Sequence, residues 1–134
     1  MATKIFVNLP VKDLKKSMAF FTAIGFKNNP QFTDDTAACM VVSEEIYFML
    51  LTHPKFKAFT PKEIADANKT TEVITALSCE SRAQVDDYVK KAVAAGGSTY
   101  NEAKDHGFMY GHGFQDPEGH IFEVFFMDES YVQK

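Results

Sequence analysis

Apolar positions change period along the chain, and the changes mark out one order of elements that occurs twice. Residues 4–11 form a β-like run closed by Pro10. Asp13 then offers an N-cap oxygen, and Leu14, Met18, Phe21 and Ile24 recur at the spacing of one helical face. Gly25 stands where a left-handed C-cap ends such a helix. Short β-like runs follow at residues 26–33, 37–42 and 46–52, separated by acidic or Asn/Pro punctuation.

The rhythm breaks over residues 53–70. This stretch is Lys-rich, holds Pro54 and Pro61, and predicts at most one helical turn near residues 62–67. A long irregular segment inside a small domain reads as a crossover and a lid. The pattern then restarts. Residues 72–79 are rich in β-branched side chains. Ser81 with Gln84 is a capping box, and Val85, Tyr88, Val89 and Ala92 share a helical face up to Gly96 and Gly97. Strands are predicted at residues 98–101, 108–115 and 120–127. Between the last two, Asp116, Pro117 and Gly119 occupy the first, second and fourth places of a type I turn.

Two β-α-β-β-β units in tandem are therefore expected: module one at 1–55, crossover or lid at 56–70, and module two at 71–134. Superimposing cap Asp13 on cap Ser81 brings Phe6 onto Ile74, and superimposing the final strands brings Met49 onto Glu123. A four-residue turn at 116–119 would pair Gln115 with His120 and set His112 opposite Glu123. On that register Phe108, Tyr110, Phe114, Phe125 and Met127 share the face of His112 and Glu123.

Composition narrows the functional classes. The apolar fraction of 46% and 13 Phe residues are ample for a packed interior. Arg82 is the only Arg among 14 basic residues, which argues against nucleic acid, where bidentate Arg contacts dominate. No apolar run reaches the length of a membrane span, and the N-terminus lacks a signal-peptide pattern. Cys39 and Cys79 lie far apart in β-like runs, as reduced thiols of a cytoplasmic protein would.

Two stretches carry a family resemblance. One is V-x-D-L-x-x-S-x-x-F-F from Val11 to Phe21; the other is F-x-D-P-E-G-x-x-x-E from Phe114 to Glu123. With the repeated order of elements, they make the whole chain resemble the vicinal oxygen chelate superfamily of glyoxalases, bleomycin-resistance proteins and extradiol dioxygenases. The resemblance implies an α+β fold of two tandem βαβββ modules. Each would form half of a cupped mixed sheet with helices outside. It also implies a small-molecule ligand and, in many members, a homodimer.

Metalloenzymes of that superfamily place metal ligands on the first and last strands of each module. The resemblance puts those places at Phe6, Met49, Ile74 and Glu123. Phe and Ile have no lone pair to offer, and a Met thioether is too soft for a hard divalent ion. No metal and no cofactor are therefore expected. The remaining candidates are Glu123 and His112 as an acid–base or ligand-gripping pair, with Phe6, Met49, Ile74, Tyr110 and Phe125 as apolar ligand contacts. Two functions follow. The first is a metal-independent protein that binds a small organic ligand, as bleomycin-resistance members do. The alternative is a lactoylglutathione lyase-like or extradiol dioxygenase-like enzyme working through Glu123 and His112.

Overall fold

Asp13 and Ser81, the two caps anticipated above, each begin a helix. Asp13 Oδ1 accepts from Lys16 N at 3.1 Å, and Ser81 Oγ accepts from Gln84 N at 3.1 Å, satisfying amides that no helical carbonyl can reach. The return bond of the second cap departs from the usual box. Gln84 Oε1 accepts from Glu80 N at 2.7 Å, one residue ahead of the cap. The computed structural model describes residues 2–130. It divides into two units, the first ending at Asp66 and the second beginning at Ala67. Residue 1 and residues 131–134, assigned above to the two modules, lie outside the described residues.

The first unit contains β1 (Ile5–Val11), α1 (Leu14–Ala23), β2 (Lys27–Asn29), β3 (Ala37–Val41), β4 (Ile46–Thr52) and a short helix α2 (His53–Lys57). Its sheet runs β1-β4-β3-β2, with β1 parallel to β4 and the other pairs antiparallel. Alternation sorts the side chains of β1 and β4 onto two faces, whereas Ala37, Ala38, Cys39 and Met40 of β3 are buried on both. Leu9, Val11, Phe48 and Leu50 are buried with Phe20 and Phe21 of α1. The Phe21 ring meets Phe48 edge-on at 5.8 Å and lies parallel to Phe26 at 6.0 Å. The other face presents Phe6, Asn8, Tyr47 and Met49, and the Phe6 and Tyr47 rings stack at 4.6 Å.

Two expectations fail here for reasons of proline chemistry. The strand expected at 26–33 stops at Asn29. Pro30 has no amide hydrogen for a ladder and instead starts a 3-10 turn, Pro30–Phe32, capped by the Asn29 side chain on Gln31 N at 3.0 Å. The helical turn expected near 62–67 occurs earlier, at His53–Lys57, where Pro54 fits the first turn of a helix.

The second unit contains β5 (Thr75–Cys79), α3 (Arg82–Ala94), β6 (Lys104–Asp105), β7 (Met109–Gln115) and β8 (Ile121–Met127). Its sheet order, β5-β8-β7-β6, repeats that of the first unit, again with the first and last strands parallel. Val85, Val89 and Ala92 of α3 are buried with Leu77, Phe114, Phe122 and Val124; Phe114 and Phe122 stack at 5.3 Å. The strand expected at 98–101 is reduced to a single bridge, Ser98 to Gln115, and regular pairing resumes at Lys104–Asp105. Strand β5 starts at Thr75, so Ile74 stands just before it and is exposed. The two tandem α+β modules, each a mixed four-stranded sheet with its helix on one face, are as the sequence led one to expect.

The β7–β8 hairpin corrects the expected register. The type I turn is present, with Gly119 N donating to Asp116 O at 3.0 Å. The chain does not leave it directly into the strand. Gly119 adopts φ +96°, and Asp116 N donates to His120 O at 3.1 Å, which makes a three-residue loop with a glycine bulge. Gln115 therefore pairs with Ile121, not His120, and His112 pairs with Val124. A side chain at 119 would be strained. Besides the left-handed backbone, a Cβ there would come within 2.6 Å of Asn68 Oδ1.

Asp116 ties this loop together. Its Oδ1 accepts from Glu118 N at 3.0 Å and His120 N at 2.8 Å, while Oδ2 is buried and has no hydrogen-bond partner among the described residues. Burial pushes its carboxyl up to about 6, against the opposing pull of the His120 charge and the two amides. The folded chain thus holds this proton more tightly than the unfolded chain. The associated stability is complete below the ordinary value of 3.8 and is lost as pH rises through about 6. Denaturant unfolding should show the wild type losing roughly 2–3 kcal/mol relative to Asp116→Asn across that window. Parallel pH profiles for the two proteins would refute this.

Candidate functional site

The bulged hairpin sorts the side chains of β7 and β8 onto two faces. Phe114, Phe122 and Val124 are buried on the face that carries α3. Tyr110 and His112 share it by alternation, and Tyr110 Oη donates to Asp86 Oδ1 on α3 at 2.6 Å. Met109, Gly111, Gly113, Glu123, Phe125 and Met127 alternate onto the other face, free of helix. A cavity of about 360 Å³ lies against it. Met109, Phe125 and Met127 supply its apolar wall, and Asn101, Lys104 and His106 contribute polar groups. Glu123 is the carboxylate lining it.

Glu123 is held from the side by a residue the sequence did not single out. Tyr100 Oη donates to Glu123 Oε1 at 3.2 Å and lies 3.4 Å from Phe122 O. Its ring crosses directly over Gly113, where a Cβ would collide with the hydroxyl and come within 2.5 Å of Cζ. The neighbours of Tyr100 are clamped to β7. Thr99 Oγ1 donates to Gly113 O at 2.7 Å, Gly113 N donates to Asn101 Oδ1 at 3.3 Å, and His112 Nε2 donates to Asn101 O at 2.9 Å. Burial first, then the Glu123 charge and hydrogen bond, push the Tyr100 phenol up to about 12, so it remains a donor at physiological pH. The available clue was an irregular tyrosine strand facing a glycine in the neighbouring one.

Glu123 and Phe125 line the cavity together. His112 and Tyr110 do not: the one-residue shift at the hairpin puts both on the face opposite Glu123, which corrects the expected pairing of His112 with Glu123 and the face expected for Tyr110. His112 instead fastens the 99–101 segment. Phe6 and Met49 lie on the helix-free face of the first unit's sheet, and Phe6 and Ile74 are exposed.

The donors do not suit the metal centre that the superfamily implies. Phe6, Met49 and Ile74 bring no hard donor, and a single carboxylate cannot hold a catalytic ion. One oxygen of that carboxylate already accepts from Tyr100. Among the described residues no three His, Cys, Asp or Glu side chains gather where they could hold a metal ion.

Paired βαβββ modules with this strand order give the chain the fold of solved structures named as glyoxalase/bleomycin resistance proteins. More narrowly, residues 3–43 match the family described as bleomycin resistance protein-like N-terminal. Among solved structures, a hypothetical protein from S. aureus is 27% identical, with 94% of each chain covered and a TM-score of 0.79. A glyoxalase/bleomycin resistance protein/dioxygenase family enzyme from Burkholderia phytofirmans PsJN is 17% identical, covering 94% of this chain and 99% of its own, with a TM-score of 0.80. A genomically encoded fosfomycin resistance protein from Listeria monocytogenes is 18% identical, covering 94% and 93%, with a TM-score of 0.68. No curated protein matches the chain.

The contact between Tyr100 and Glu123 has a spectroscopic signature. Ultraviolet titration should find one tyrosine ionising near 12. In Glu123→Gln that tyrosine should ionise closer to the ordinary value of 10, but not reach it, because burial remains. An unchanged titration would show that the phenol does not sense the carboxylate.

Proposed function

We propose that this chain binds a small organic molecule in the cavity over β7 and β8, without a metal centre, as the bleomycin-resistance-like branch of its fold suggests. The observation that carries this reading is the cavity itself. Met109, Phe125 and Met127 give it an apolar wall, and Glu123 stands in it as an oriented carboxylate. Phe6, Met49 and Ile74, the places where the resemblance would put metal ligands, carry no hard donor. The alternative, a glyoxalase-like or dioxygenase-like enzyme, retains Glu123 but loses its acid–base partner, since His112 lies on the other face.

A hydrophobic fluorophore tests the cavity directly. Anilinonaphthalene sulfonate should bind the wild type, and Gly111→Val should weaken that binding about tenfold or more by filling the space. A Cβ at Gly111 would meet only ordinary contacts, 3.4 Å from Val124 O and 3.5 Å from Phe125 Cβ, so the strand should tolerate it. Elemental analysis of the same preparation should find no stoichiometric Ni, Zn, Fe or Mn. About one tightly bound transition metal per chain, lost in Glu123→Ala, would overturn the metal-free reading.

The reading extends to a cytoplasmic homodimer. Both cysteines are free thiols, and among the described residues no helix is long and apolar enough to cross a membrane. Phe6, stacked on Tyr47 on the helix-free face of the first sheet, is 50% exposed, apolar exposure that a second subunit would relieve. Light scattering at micromolar concentration should give twice the chain mass, and a monomer would refute the dimer.

A further inference from the structure

Tyr100 and Gly113 make the Glu123 carboxylate a one-sided acceptor. The phenol donates to Oε1, and among the described residues nothing donates to Oε2. The residues on either side of Tyr100 are bonded to Gly113 and His112, so the phenol is presented from a fixed backbone. It reaches the carboxylate only because Gly113 leaves the space above the sheet vacant. Tyr100 is not itself among the cavity-lining residues, whereas Glu123 is. The free oxygen therefore has to be satisfied by whatever enters the cavity, or by water.

We propose that Tyr100 is the specificity-determining residue of this cavity, orienting Glu123 to receive a hydrogen-bond-donating, cationic head such as a primary ammonium on an apolar body. This inference rests on the ligand-binding function proposed above and names the ligand class. A charged donor to a carboxylate is among the stronger polar contacts, and a ligand carboxylate in the same place would face Glu123 with like charge. The apolar body of the ligand matches Met109, Phe125 and Met127. Lys104 and His106 also line the cavity, and both are exposed residues of the β6 region. They offer an anchor for any acidic group that the ligand carries besides its ammonium.

Phenethylamine and 3-phenylpropionate share an aromatic body and differ in the charge of the head, so calorimetric titration of the two isolates the head group. Wild-type protein should prefer the amine by about tenfold or more. Tyr100→Phe and Gly113→Ala should each reduce that preference severalfold, the first by removing the phenol hydrogen and the second by pushing the ring aside. Both variants should keep the far-ultraviolet circular dichroism of the wild type, which separates loss of orientation from loss of fold. Glu123→Gln should abolish the preference. A wild type that binds the fluorophore but prefers the acid would overturn the proposal while leaving the binding function intact. So would a preference for the amine that neither Tyr100→Phe nor Gly113→Ala alters. Failure of the wild type to bind amine, acid and fluorophore alike would overturn the binding function, and this inference with it.

Discussion

The extra residue in the β7–β8 loop decides what the second unit can do. Gly119 takes up the left-handed backbone, Asp116 gathers two amides of the loop onto one oxygen, and the strands leave the turn one position out of step with a simple type I hairpin. Side chains alternate with period two, so this single step exchanges the faces of an entire strand. Phe122 and Val124 become core under α3, and Glu123, Phe125 and Met127 become the surface of a cavity. Every chemical property assigned to the site depends on that parity.

The two sheets repeat one plan with different chemistry on the helix-free face. In the first unit that face carries a stacked Phe6 and Tyr47, with Met49 further along β4. In the second it carries a carboxylate and a neighbouring phenol. Glu123 is half-buried, and it meets one phenol hydrogen on one side and the cavity on the other. The glycine beneath the phenol makes that contact sterically possible.

Much of this organisation was legible in the sequence because it depends on local signals. The caps at Asp13 and Ser81, the helix faces through Phe21 and Val85, and the repeated order of strands all follow from spacing and turn chemistry. What escaped depends on one-residue differences or on contacts across strands. The motif through Asp116 and Gly119 shows a type I turn, but not whether its last glycine continues into a bulge. That ambiguity alone misplaced His112 and Tyr110. Tyr100 escaped for another reason: its segment pairs irregularly with β7, so no alternation points its ring toward Glu123. The short helix at His53–Lys57 was hidden in a proline-rich stretch whose composition reads as irregular.

The strand order also bears on how each unit assembles as it is synthesised. In both sheets the last long strand lies between the first strand and the rest: β4 joins β1 to β3, and β8 joins β5 to β7. The opening strand of a unit therefore has no partner until the closing strand has been made, some 40 residues later for β1 and β4 or for β5 and β8. During that interval β1 and β5 expose unpaired edges, a state open to wrong pairing. Once Thr52 has emerged the first unit holds every strand of its own sheet, whereas the second waits for Met127. A nascent chain halted between those points thus carries one sheet with all its strands present and another whose opening strand still lacks its neighbour.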